Sequence, residues 1–239
     1  MPPPARRRDH PTEWIASATR HMAAVLLGIA ATLWPVADAA SPAALDTTIR
    51  ATWNGVPLRD WASRVSSRTG VAVIVDLRLD PGLTVTLESG DDTLGAVLAR
   101  VATSVGAVVE PVGSTIRLVP RDRAGRAAAA EAARSRAIRQ LPADLRRAVE
   151  RRDAWSWPAA AQPRELVAAA AGTAGLEIAG LERIPYDHLP AASLPPLPLA
   201  ERLDVLLANF DLRMDWSPRG GSVVPIDAGI EPGDLKPCS

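Results

Sequence analysis

The residue types that most often carry out chemistry are few in this chain and lie far apart. Beyond residue 40 the only histidine is His188, and the single cysteine is Cys238, next to the last residue. A zinc site needs several converging ligands, and a nucleophilic side chain usually needs a base beside it. His188 follows Tyr186 and Asp187 in a proline-rich segment, which is typical of a solvated loop histidine. The sequence therefore predicts no metal site, no cofactor and no catalytic residue.

Two groups of carboxylates have spacings that suit acid–base catalysis. Glu88 stands near Asp91 and Asp92, and Asp211 stands near Asp215. We expect one of the adjacent aspartates to cap the helix that follows them. The second pair lies on one face of a predicted strand, and a solvent-exposed face explains it. A hydrolase stays open as an alternative if a cleft brings these acids and the histidine together.

Tryptophan offers a second kind of chemistry, because its ring can stack on a sugar. Trp53, Trp155 and Trp157 open two similar segments of the chain. If these rings share an exposed face, they form a platform for a cell-wall polysaccharide. Polysaccharide binding is therefore the alternative to a protein-binding function.

Composition and charge exclude further classes. The chain has 27 basic and 27 acidic residues, so its formal net charge is zero. A neutral chain has no global electrostatic reason to bind nucleic acid. One cysteine cannot build a disulfide framework, and no glycine-rich phosphate-binding motif is present.

The first 40 residues have the order of a secretory signal peptide. Arg6, Arg7 and Arg8 precede an apolar run over residues 22–34, and small residues follow at 37–39. A membrane-spanning helix needs about 20 apolar residues, more than this run contains. We expect cleavage before Ala40 or Ser41 and an exported chain, periplasmic or envelope-associated, with no transmembrane segment. An uncleaved anchor is the alternative.

A constant offset aligns two parts of the remaining chain, which predicts an internal repeat. It places Gly70 on Gly175 and Leu94 on Leu199. Further pairs at this offset are Arg59 with Arg164, Leu98 with Leu203 and Val101 with Leu206. We predict one repeat over residues 45–120 and a second over 155–227.

The first repeat predicts an α+β fold, in which two helices cover a small sheet in two layers. Apolar residues at helical spacing follow Pro57 and Leu94, and Gly70 suits the end of the first helix. Gly113-Ser114 predicts a hairpin turn. The expected order is β-α-β-β-α-β-β, with strands at 47–53, 71–75, 83–88, 108–112 and 115–119 and helices at 57–70 and 94–105.

The second repeat predicts helices at 164–174 and 199–210 and a hairpin over 211–216 and 222–226. Pro190, Pro195, Pro196 and Pro198 argue against its third strand, because proline cannot donate to a ladder. We expect an extended, partly polyproline segment there, which leaves a sheet edge bare or covered by that loop. We expect a partner to add a strand to this edge.

An alanine- and arginine-rich segment, residues 121–153, joins the repeats and predicts a helical linker. Pro142 should divide it into two helices. Its arginines suit a solvated helix face with ion pairs such as Asp144 with Arg147. Residues 228–239 form a polar tail.

The first repeat resembles the secretin and TonB short N-terminal domain. The resemblance rests on Val-Pro-Leu-Arg-Asp-Trp at 56–61, Thr-Gly-Val at 69–71 and Val-Thr-Leu at 85–87 with the helix from Leu94. It is clear over residues 45–120 and looser over 155–227. Such domains lie in the bacterial periplasm, make protein–protein contacts and have no catalytic residues. The resemblance implies a non-catalytic interaction module of the cell envelope, in transport or signalling assembly, whose partner is another envelope protein or a second copy.

Overall fold

A computed structural model describes residues 42–229, all of which belong to the unit Trp34–Ser239. The predicted signal peptide and Cys238 lie outside the described residues. None of the helices in this described range is long and apolar enough to cross a membrane. The chain is a mixed α+β protein, as the sequence predicts.

The first half contains three helices and five strands. They are α1 (Pro42–Leu45), β1 (Thr48–Pro57), α2 (Leu58–Thr69), β2 (Ala72–Val75), β3 (Thr84–Thr93), α3 (Leu94–Ser104), β4 (Ala107–Val112) and β5 (Thr115–Pro120). Gly70 ends α2 with a φ of 73°, and its amide donates to the carbonyl of Ser66. This left-handed cap is the one that the sequence predicts, since glycine adopts a positive φ without steric cost.

The cap at the start of α3 differs from the expected one. The side chain of Thr93 accepts a hydrogen bond from the amide of Ala96. The two aspartates before it form ion pairs instead, Asp91 with Arg50 and Asp92 with Arg100. The prediction of an aspartate cap is wrong, because β3 continues through both residues and leaves Thr93 as the N-cap, directly before Leu94.

The strands of this half form two sheets and not the single small sheet that we expected. β1 pairs with β3 antiparallel, while β2, β5 and β4 form a three-stranded sheet in that order. β2 is parallel to β5, and β4 is antiparallel to it. Helices α2 and α3 each contact both sheets. One core therefore contains side chains from every layer, including the fully buried Trp61, Leu94, Leu98, Ile116 and Leu118.

The second half has the same order of elements. They are β6 (Arg152–Trp157), α6 (Pro163–Thr173), β7 (Ile178–Ala179), β8 (Ala192–Pro198), α7 (Leu199–Leu207), β9 (Leu212–Ser217) and β10 (Gly220–Pro225). β6 pairs with β8 antiparallel, and β7, β10 and β9 form a three-stranded sheet. β7 is parallel to β10, and β9 is antiparallel to it. The strand pairing of the first half thus recurs in the second.

The third strand of the second half, which the sequence predicted to be lost, is β8. Pro195 and Pro196 fall at an irregularity in its pairing, between the partners of Asp153 and Trp155. A bulge leaves its extra residue outside the ladder. A strand in a two-stranded sheet also needs amide donors on one side only. The prediction that this strand is lost is therefore wrong, and β8 keeps one edge without a neighbouring strand.

The linker consists of a 3-10 helix at Arg121–Arg123, α4 (Arg126–Arg139) and α5 (Ala143–Glu150). The break at Pro142 is the one that the sequence predicts. The Asp144–Arg147 ion pair is also present. However, α4 is not a solvated helix, because it buries Ala127, Ala129, Ala130 and Arg134. The reason is that α4 packs against both β4 and β9 and so joins the two halves.

Candidate protein-interaction surface

The residues that could have formed a hydrolase site do not come together. His188 is exposed, and its Nδ1 lies 3.2 Å from the carbonyl oxygen of Ala160. Asp215 forms an ion pair with Arg213, and Glu88 is exposed on β3. Within residues 42–229, no three His, Cys, Asp or Glu side chains form a group that could hold a metal ion.

Asp211 has a structural role that its spacing from Asp215 does not reveal. It lies just before β9 with a φ of 57°. Its carboxylate is 2.9 Å from Nη2 of Arg78 in the first half and 2.9 Å from Nη1 of Arg123 in the linker. The aspartate therefore fastens the second half to the two segments before it.

The tryptophans do not form a shared exposed platform. Trp53 is only 6% exposed and packs edge-on against Trp61, with the ring centroids 6.0 Å apart. Trp155 and Trp157 are half-buried and pack against each other, with their ring centroids 4.8 Å apart. Nε1 of Trp157 donates to the carbonyl of Pro190. These three tryptophans therefore do not share the exposed face that would have favoured polysaccharide binding.

A buried ion network joins the linker to the second half. Nη1 of Arg134 lies 2.9 Å from Oδ2 of Asp204 on α7, and its Nη2 lies 3.7 Å from Oε1 of Glu201. Burial raises the pKa of Asp204, while Arg134 and the donating amide of Met214 oppose this rise. Glu201 also accepts hydrogen bonds from the amide and hydroxyl of Ser114, in the β4–β5 turn. All three segments therefore meet at these charges.

A second buried group of charges holds the first half to the linker. Asp76 forms ion pairs with Arg117 and Arg78. Oε1 of Glu110 accepts hydrogen bonds from the amides of Gly125 and Ala128, at the start of α4. Burial raises the pKa of Glu110, and the positive charge of Arg117 partly opposes it. These charges therefore tie the sheet of the first half to the start of α4.

A cavity of about 170 Å³ lies where the two halves meet. Its walls are α2 and β2 on one side and β8 with Trp157 on the other. Beside it, apolar residues of β2 and β8 pack into one cluster with Val205. Arg59 lines this cavity, but its guanidinium donates to the carbonyls of Val75, Leu77 and Leu79. We therefore assign the cavity to the contact between the halves.

A larger and open groove, of about 630 Å³, lies on the first half. Residues 47–53 form one wall, and the other is the part of α2 from Ser63 to Thr69. No residue of β3 lines the groove, so it follows the edge of β1 that has no neighbouring strand. The groove is thus bounded by a free strand edge and a helix.

The charges in this groove have one sign. Its lining includes Arg50, Arg64 and Arg68 and no acidic residue. Arg64 and Arg68 are exposed, and neither forms an ion pair within residues 42–229. Asp60, one turn before Arg64, lines the separate cavity between the halves. The amino-acid sequence did not lead us to predict this surface, although two arginines four residues apart on a predicted helix were a visible signal.

The expected docking edge in the second half does not exist in the form that we predicted. β8 completes the pairing with β6, and Ser222 lies in β10, the central strand of its sheet. Free edges remain elsewhere, and the edge of β1 borders the groove described above. Compared with known proteins, the chain matches no protein-family model and no curated protein sequence.

Proposed function

We propose that this chain is an exported, non-catalytic protein-interaction module of the cell envelope, and that it binds an extended segment of its partner beside β1. The observation that carries this proposal is the groove between the free edge of β1 and α2. The partner is another envelope protein or a second copy of this chain.

An unpaired strand edge presents amide and carbonyl groups that can pair with another chain. Binding by strand addition draws its affinity from these backbone groups and its specificity from side-chain pockets. Because α2 forms the second wall, a segment added to β1 would contact the helix with every second side chain. This geometry suits an extended segment and not a compact ligand.

The resemblance of residues 45–120 to the secretin and TonB short N-terminal domain supports the proposal. So does the recurrence of the same strand order in the second half. Domains of this family make protein contacts in the periplasm, and transport or signalling assembly is the role that this resemblance supports. The charge-pairing of the acids and the burial of Trp53 give no support to a hydrolase or a polysaccharide binder.

The test is photo-crosslinking in living cells with the full chain. A photoreactive amino acid at Thr52 reports on the groove, and one at Glu182 reports on an exposed position in the second half. We expect a discrete cross-linked protein in the envelope fraction from Thr52 only, which mass spectrometry then identifies.

A matched pair of variants checks that binding uses the groove. Ser67→Trp places a large side chain in the groove from α2, whereas Ala169→Trp makes the same change at an exposed position of α6. We expect the first variant alone to lose the cross-link, with both folded by circular dichroism. If both variants keep it, or if the protein pellets with purified cell wall and forms no cross-link, the proposal is wrong.

A further inference from the structure

The geometry points to a specific class of partner: we propose that the groove between β1 and α2 takes an extended acidic segment, with acids at alternate positions facing the helix. This inference rests on the proposed function and adds the chemistry of the ligand. It follows from the charges of the groove and from the spacing of two arginines.

The charge of the groove contrasts with that of the whole chain. The chain as a whole is neutral, yet the lining of this groove has three arginines and no acid. One of them, Arg50, forms an ion pair with Asp91, and the two side chains are 76% and 75% exposed. Nε of Arg50 also donates to the carbonyl of Gly90 on β3. Contacts this exposed are weak, so Arg50 can exchange them for an acid of the ligand. A ligand of opposite charge is the complement of this surface.

The spacing of the other two arginines matches a strand. Arg64 and Arg68 are four residues apart on α2, which separates them by about 6 Å along the helix. Side chains at positions i and i+2 of a strand lie about 6.6 Å apart on one face. One strand can therefore pair an acid with each arginine at the same time.

The other residues that line the groove indicate the length and side-chain pattern of the ligand. The strand wall extends from Thr47 to Trp53, so about seven ligand residues can pair with it. Ser63 and Ser67 present short side chains on the helix, which leaves room for the acids between them. A suitable segment alternates acidic residues with β-branched ones, because the latter favour extended backbone.

The test uses a fluorescein-labelled heptapeptide, Thr-Glu-Val-Glu-Val-Glu-Thr, and the full chain purified from the envelope fraction. Three unlabelled peptides compete with it. The first has serine in place of each glutamate, the second has lysine there, and the third keeps glutamate but has N-methylated valines. Fluorescence anisotropy at low salt measures the affinity. Each exposed charge pair contributes at most about fivefold, so we expect the glutamate peptide to bind roughly tenfold more tightly than the serine peptide. The lysine and N-methylated peptides should not compete.

Two double variants with the same charge change locate the binding. Arg64→Glu with Arg68→Glu alters the groove, and Arg183→Glu with Arg219→Glu alters exposed positions in the second half. We expect only the first to lose about tenfold or more in affinity. Equal losses in both variants would mean general attraction and would overturn the inference.

The peptides also separate the two proposals. If the serine and glutamate peptides bind equally and N-methylation abolishes both, strand addition stands and the acidic preference is wrong. If no peptide binds, the acidic inference is wrong, and the cross-link from Thr52 in cells decides the proposed function independently.

Discussion

Replacing Arg134 with methionine should destabilise the whole folded unit, because this arginine of the linker forms a buried ion pair with Asp204 of the second half. Its side chain is only 5% exposed. Methionine retains much of the volume and helix propensity of arginine, so the change mainly removes the guanidinium. Asp204 then keeps the amide of Met214 as its donor but loses its ion pair.

The expected cost follows from the burial of Asp204. Removing one partner of a buried ion pair typically costs about 3–5 kcal/mol, because the other charge stays buried without compensation. Burial already raises the pKa of Asp204, and Arg134 opposes that rise. Without the arginine this pKa rises further, so protonation of Asp204 relieves the penalty at low pH. The loss should therefore be larger at pH 8 than at pH 5.

Guanidinium chloride unfolding of wild type and variants at both pH values measures this loss. Arg139→Met is the matched control, because Arg139 is exposed on the same helix, and we expect a change within about 0.5 kcal/mol. The double variant Arg134→Met with Asp204→Asn removes the orphaned charge and should recover most of the stability. A cost below about 1 kcal/mol at pH 8 for the single variant, or the same cost in the double variant, would refute the reasoning.

Two further predictions concern the cores and a buried acid. Leu98→Ala and Leu203→Ala should each cost about 2–5 kcal/mol by chemical denaturation, since both side chains are fully buried in separate clusters; a neutral result at either site would contradict its place in a core. Burial raises the pKa of Glu110 above its ordinary 4.5. Its contribution to stability is thus complete below 4.5 and is lost as pH rises through the raised value. Wild type should lose stability relative to Glu110→Gln above pH 4.5, by at most about 1.4 kcal/mol per pH unit, and a constant difference from pH 4 to 8 would count against this.

Much of the fold was predictable because apolar periodicity survives in a single sequence. The stripe from Leu94 to Ala102 is buried along α3, and Gly70 and Gly113 adopt the positive φ values that a helix cap and a tight turn require. These features depend on residues close together in the chain. Local sequence therefore determined them.

The errors concern features that depend on distant residues. A run of prolines argues against a strand, but β8 has only one neighbour and places two prolines at an irregularity. The sequence does not show how many neighbours a strand will have. In the same way, nothing local to Trp53 shows that α2 will place Trp61 against it.

The arginines make the strongest case that charge content alone does not locate a binding surface. The linker is the most arginine-rich segment, yet Arg134 is buried against Asp204 and Arg123 is bound to Asp211. Arg64 and Arg68, which form no ion pair within residues 42–229, lie instead on α2, in a repeat with no visible excess of charge. Reversing the charge of Arg134 or Arg123 would therefore test stability and not binding. An arginine can recruit a partner only where folding has left it without an acid of its own, and Arg64 and Arg68 meet this condition beside the free edge of β1.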